Sequence, residues 1–176
     1  MAKSDSFFIR ASVTTNDQTY VQSEIDLGSF VNLGVSKSTL LRIHNIAVQY
    51  VDDSGGPAYP IYTTAAAPAG MAWQLTTQNQ TALVRATNKS LISSGCLSAY
   101  GDSTSTAHAF GTEENEDINP QNWKNGYLVG VDQLYLAVDM SAATFTSGQV
   151  ELSIVMECTL EAATQANSVA LALSQQ

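Results

Sequence analysis

The stretch QVELSIVMECTLE, from Gln149 to Glu161, decides the fold class. Val150, Leu152, Ile154, Met156, Cys158 and Leu160 alternate with Gln149, Glu151, Ser153, Val155, Glu157, Thr159 and Glu161. A helix would scatter the first set around its circumference, whereas a strand places all of it on one face. Burying those six side chains is worth ~9–18 kcal/mol gross at ~1.5–3 kcal/mol each, so the segment predicts a central strand with Val150, Leu152, Ile154, Met156 and Leu160 facing a core.

Working outward, Tyr127 to Met140 shows the same period. Leu128, Leu134, Leu136, Val138 and Met140 fall on one face and Val129, Val131, Tyr135 and Ala137 on the other. Gly126, Gly130 and the β-branched and aromatic content argue against a buried helix there. With Ser141 to Gly148 as a turn, residues 127–161 predict one long β-hairpin. Upstream, Phe7 to Thr14 and Thr19 to Leu27 are alternating segments separated by the polar turn Thr15 to Gln18. Thr39 to Val51 is a long strand with Leu41, Ile43, Ala47 and Val51 on one side and Arg42, His44, Ile46, Val48 and Tyr50 on the other. Weaker strands are expected at Ala72–Thr77, Ala82–Ala86 and Leu91–Leu97.

About eight strands separated by turn signals predict an all-β, antiparallel β-sandwich, a single jelly roll in its simplest form. The expected division is an N-terminal arm (1–6), the sandwich (7–161) and a C-terminal tail (162–176), rich in Ala and Gln, that forms a short helix or an extended arm. Asp52 to Gly70 and Tyr100 to Gly126 read as long loops. Long structureless connections are uncommon unless functional. Tyr59, Tyr62, Tyr100, Phe110 and Trp123 lie in or beside them among small, weakly charged residues, and are the expected anchors of contacts between subunits.

Composition supports a contact role. Only 13% of the 176 residues are charged, about half the usual ~25%. Few long charged side chains would need to be immobilised when neighbours pack, at ~0.5–1.5 kcal/mol each. A secreted or extracellular β-protein is the competing reading. The net charge of −9, with seven Lys plus Arg spread thinly, leaves no basic stripe for a phosphate backbone, so direct nucleic-acid binding is not expected. Met1 to Ser6 carry no basic stretch followed by an apolar run, so no secretory signal is expected. Asn79-Gln80-Thr81 and Asn88-Lys89-Ser90 match the glycosylation triplet, which a Thr-rich chain produces by chance.

No catalytic, cofactor or metal site is expected. The histidines are two, His44 in a strand and His108 in a Ser/Thr-rich loop, and no Gly-x-Ser-x-Gly elbow accompanies them. Ser94 to Cys96 lacks a nucleophile context, and neither His-Glu-x-x-His nor Cys-x-x-Cys occurs. Glu113, Glu114, Glu116 and Asp117 form an acidic cluster without the calcium-loop pattern, and a solvated acidic loop is the simpler reading. Cys96 and Cys158 are read as two buried thiols, with a single disulfide as the alternative.

The strand count, the long central strands, the paired C-terminal strands, the lack of a secretory signal, the few charged residues and the small polar tail together resemble the single jelly-roll major capsid proteins of tailless icosahedral viruses with an internal membrane. The resemblance spans residues 7–161. It implies a structural protein, not an enzyme, that self-assembles into a capsid shell with copies of itself and other capsid proteins. It would be made in the host cytoplasm, reside in the virion and have no small-molecule substrate. One departure stands out: small jelly-roll coat proteins often carry a basic genome-binding arm, and the first sixteen residues here hold only Lys3 and Arg10. Proximity to an internal membrane, rather than to the genome, fits that departure. The alternatives are a carbohydrate- or protein-binding sandwich module and an extracellular filament subunit.

Overall fold

The computed structural model describes residues 5–15, 19–33, 37–52, 55–56, 69–102, 109–140 and 149–175, with side chains at 69, 99–102, 109–113 and 115 outside the description. Nine strands occur among them: β1 (Phe7–Thr14), β2 (Val21–Asp26), β3 (Lys37–Asp52), β4 (Ala69–Thr76), β5 (Leu91–Asp102), β6 (Ala109–Ile118), β7 (Tyr127–Val129), β8 (Gln133–Met140) and β9 (Val150–Thr164). A short 3₁₀ turn (Pro120–Asn122) precedes β7, and one helix, α1 (Gln165–Ser174), follows β9.

The strands form two antiparallel sheets, in the orders β1-β9-β3-β7 and β2-β8-β4-β5-β6. The pairing is nested: β1 with β9, β2 with β8, β3 with β7, and β4 with β5. A long hairpin folded over on itself gives this pattern. The pairs β3·β9 and β4·β8 then close each sheet. This is the jelly-roll topology, extended at one edge by β6.

The inner faces meet in one core. Val150, Leu152, Ile154 and Met156 of β9 are fully buried, and Leu160 packs partly against the same cluster, so the predicted face of this strand is the observed one. From the other sheet come Met71, Trp73 and Leu75 of β4, with Leu134, Leu136 and Val138 of β8. Trp73, within the strand expected at Ala72–Thr77, sits at the centre of β4 with Gly95 as its register partner and is 1% exposed.

Three sequence expectations change. Residues 127–161 are not one hairpin: β7 belongs to the four-stranded sheet and β8 to the five-stranded one, and β9 pairs with β1 and β3. Val129 therefore shares the core with Leu134, Leu136 and Val138 while Leu128 lines the groove beside α1, so the expected grouping of faces breaks between β7 and β8. Period-two alternation says which side is buried, but the turn at 130–132 carries the chain across the sandwich and resets the face.

The second change is in β3. Its register against β9 shifts between Ile43 and Asn45, leaving His44 in a bulge. Leu41 and Ile43 face the core before it, and Ile46, Val48 and Tyr50 after it, while Ala47 is exposed. One extra residue inverts the face of everything downstream. The bulge sits where β7 stops pairing. Just past it, the side-chain amide of Gln121 accepts from Ile46 N (3.3 Å) and donates to Ile46 O (3.2 Å), so these edge groups are not left unmet. Gly126 closes the same corner with φ +62°, and a Cβ there would lie 2.2 Å from Ile43 O, so no other residue fits.

Third, Ala82–Ala86 is not a strand. Residues 77–90 form a strap over the outer face of the five-stranded sheet, pinned by the buried side chain of Gln74. Its Nε2 donates to Ala82 O (3.2 Å) and Tyr20 Oη (2.9 Å), and its Oε1 accepts from Val84 N (2.7 Å). The expected loop 100–126 likewise holds the end of β5, β6 and the 3₁₀ turn. The boundary expected at 161/162 falls inside β9, which runs on to Thr164.

Candidate functional site

Of the five expected anchors, Trp123 is the one whose side chain is described. It follows the 3₁₀ turn, is 44% exposed, and lies tilted against Tyr127 with ring centroids 5.9 Å apart. Tyr100 and Phe110 prove to be strand residues, in β5 and β6, with backbone register partners Gly111 and Gly101. Their side chains, and the whole of Tyr59, Tyr62 and His108, lie outside the described residues.

Trp123 and the tail converge on one edge of the four-stranded sheet. Arg42 of β3 bonds Asn125 O in the Trp123 turn (2.6 Å) and grips Glu161 of β9 through Nε (2.5 Å) and Nη2 (2.7 Å). This bidentate pair raises the Arg42 pKa chiefly through the hydrogen bonds to Glu161. Beyond Glu161, Thr164 caps α1 by accepting from Asn167 N (3.3 Å). The helix is then fastened by polar contacts. Ser168 donates to Ser38 Oγ (2.9 Å), and Gln175 donates to Leu128 O (2.6 Å) while accepting from Gly130 N (2.9 Å). Thr77 Oγ1 donates to Gln175 O (2.7 Å), tying the same point to the strap. Gly130 has no Cβ because Leu171 occupies that space, 3.0 Å from where one would be.

Between α1 and the ends of β3, β7 and β9 runs an open groove of about 870 Å³, walled by Leu40, Leu128, Ala162, Ala163, Ala170 and Leu171, with Lys37 and Glu161 at its rim. Val169 and Leu173 stand beside it in solvent. Sequence reading treated the tail as a unit and missed these two. The signal was present: two apolar residues four apart in a segment without charge. Phe8 on the edge strand β1, with Arg10 5.9 Å from its ring, and Leu83 on the strap are the other large apolar residues in solvent among the described residues.

The groups with chemical potential are engaged structurally. His44 Nε2 lies 2.9 Å from Thr159 Oγ1. Glu116 of the acidic cluster accepts from Asn119 Nδ2 (2.5 Å), and Ser93 Oγ donates to Asn119 Oδ1 (2.5 Å), which locks β6 to the 3₁₀ turn. Among the described residues no three His, Cys, Asp or Glu side chains converge as metal ligands would. Both cysteines are free thiols, on different sheets. Burial, reinforced by Glu157, pushes the Cys158 thiol up to about 12, so it stays protonated and unreactive. Cys96 is only partly buried, against the expectation of two buried thiols. Burial also raises the Tyr50 phenol, with Glu114 adding to it. The Trp73 N–H is close enough to oppose the shift, yet neither Tyr50 Oη nor Trp73 Nε1 completes a hydrogen bond.

No protein-family model matches the chain, and no curated protein does. Among solved structures, the chain is similar to VP1 of Trichodysplasia spinulosa-associated polyomavirus in complex with GM1 oligosaccharide, at 9% identity over 89% of this chain and 94% of that one, with a TM-score of 0.40. It is also similar to the unassembled pentamer of Merkel cell polyomavirus VP1, at 8% identity over 88% and 94% of the two chains, with a TM-score of 0.35.

Proposed function

We propose that this chain is a structural protein that self-assembles into a viral capsid shell. The observation that carries the reading is the distribution of exposed apolar side chains: Phe8 on the β1 edge, Leu83 on the strap, Trp123 beyond the 3₁₀ turn, and Val169 with Leu173 on α1. These belong to three different surfaces of one sandwich: the β1 edge, the strap over the five-stranded sheet, and the β7 edge where Trp123 and α1 converge. A subunit that closes a ring needs two contact surfaces, and one that tiles a shell needs more. The jelly roll suits such tiling, since its strands are committed to the internal core and its ends, edges and tail are left for neighbours. The low charge works in the same direction, because little solvation is lost as copies meet.

The partners are further copies of the chain, together with other capsid proteins. The net charge of −9 makes the inner surface a poor match for a packaged nucleic acid, and an internal membrane beneath the shell is the arrangement that fits it. The location is the virion. Size-exclusion chromatography with electron microscopy tests the reading. Closed shells or regular lattices support it. Filaments, or a small oligomer that binds glycans, would overturn it in favour of a filament subunit or a binding module.

A further inference from the structure

The C-terminal helix leaves two of its three large apolar side chains in solvent, an unfavourable arrangement for an isolated molecule. Its inward side holds the polar Ser168, and just past its last turn Gln175, both buried. Val169 (46% exposed) and Leu173 (64% exposed) point to solvent one turn apart. Polar bonds at Ser38, Leu128, Gly130 and Thr77 fasten the helix, Leu171 packs over Gly130, and Val169 and Leu173 are left over. Ala170 forms the crest between this stripe and the groove described above, so an apolar ridge and an apolar trough lie side by side on one element.

Charge identifies the occupant. α1 carries no charged residue, and of the two charges at the groove, Glu161 is held by Arg42 while Lys37 is cationic. Like charges mark the other surfaces: Glu151 and Glu157 on β9, Glu24 and Asp26 on β2, Glu114, Glu116 and Asp117 on β6, and the cations Arg85 and Lys89 on the strap, which has no carboxylate. Two copies of a chain with net charge −9 therefore meet with least repulsion at α1. A helix that lies on a membrane carries Lys or Arg along its polar face, and α1 has none.

We propose that α1 is a homotypic contact: two copies pair across a two-fold axis with their α1 helices antiparallel, crossing at Ala170, and each Leu173 seats in the other copy's groove. An isologous contact requires that ridge and trough lie on the same surface, and here they do. The small side chain at the crossing lets the helix axes approach to about 8 Å. A helix of ten residues is only about 15 Å long. It buries a few hundred Å² per copy, below the ~800 Å² per partner of a stable stand-alone interface. The contact is therefore weak singly and effective when repeated, as in a lattice.

This inference rests on the self-assembly reading, and its test separates the two. Sedimentation velocity and electron microscopy are run on wild type and Leu173→Glu, and Ala170→Cys and Ser12→Cys are oxidised in parallel. Leu173→Glu is expected to raise the concentration needed for assembly at least tenfold with an unchanged circular dichroism spectrum. Ala170→Cys, on the axis, is expected to give a covalent dimer, and Ser12→Cys, on the β1 edge, not to. Wild type that assembles while Leu173→Glu and Ala170→Cys behave like it overturns the helix contact alone. Wild type that stays monomeric at every concentration overturns the assembly reading and this contact with it.

Discussion

Ile46→Ala paired with Ala47→Gln interrogates the bulge at His44. Ile46 is 1% exposed and its neighbour Ala47 is in solvent. Truncating Ile46 removes three buried carbons, about 2.4 kcal/mol of transfer free energy at ~0.8 kcal/mol each. The cavity left in a core that cannot fully collapse adds about 1–2 kcal/mol. The sum, about 4 kcal/mol, is a large part of the ~5–15 kcal/mol that a domain of this kind has in total. Ala47→Gln adds a polar side chain to an open surface and is expected to stay within about 0.5 kcal/mol of wild type. Urea unfolding of dispersed protein, followed through the buried Trp73, reads both variants. With m of about 2 kcal/mol/M, Ile46→Ala moves the midpoint down by about 2 M and Ala47→Gln by less than about 0.3 M. An unbulged strand would place Ala47 inward and Ile46 outward. A reversed pattern, with Ala47→Gln the damaging change, would refute the bulge and the register beyond it.

Gly126→Ala is expected to lower the melting temperature by several degrees in calorimetry, because the new Cβ meets Ile43 O at a positive φ. Gln175→Ala removes the bonds to Leu128 and Gly130. Hydrogen exchange should then speed up in 165–174 while β9 keeps its protection, and equal protection in both would show that the clamp is immaterial. Cys158 sits near 9 when exposed and is pushed up to about 12 by burial. The unfolded chain thus holds fewer protons than the folded one between those values, and stability should fall as pH rises from about 9 toward 12. Tyr50, raised in the same direction, adds to the loss above its ordinary value near 10. Cys158→Ala should flatten the first part of that decline, and an unchanged profile would remove the thiol as its cause. In native protein a thiol reagent should label Cys96 and leave Cys158 untouched until unfolding.

Much of the fold is legible in the sequence because burial writes itself as periodicity. The alternation from Val150 to Leu160 gives the strand, its inward face and its central place without reference to any other residue. The low charge, the acidic balance and the missing nucleophile and metal patterns are likewise properties of the chain alone. Pairing is different in kind. Tyr127–Val129 and Gln133–Met140 alternate as one strand would, and only contacts with β3, and with β2 and β4, assign them to opposite sheets. Nor does any local signal announce the bulge at His44, which sits where β7 stops pairing with β3 and where Gln121 arrives from far along the chain. The proposed assembly surface divides the same way. Trp123 was visible as an aromatic needing a partner, while the outward turn of Val169 and Leu173 was decided by tertiary hydrogen bonds at Ser168 and Gln175. A period fixes which residues share a face, and only the packed structure decides whether that face meets the core or the solvent.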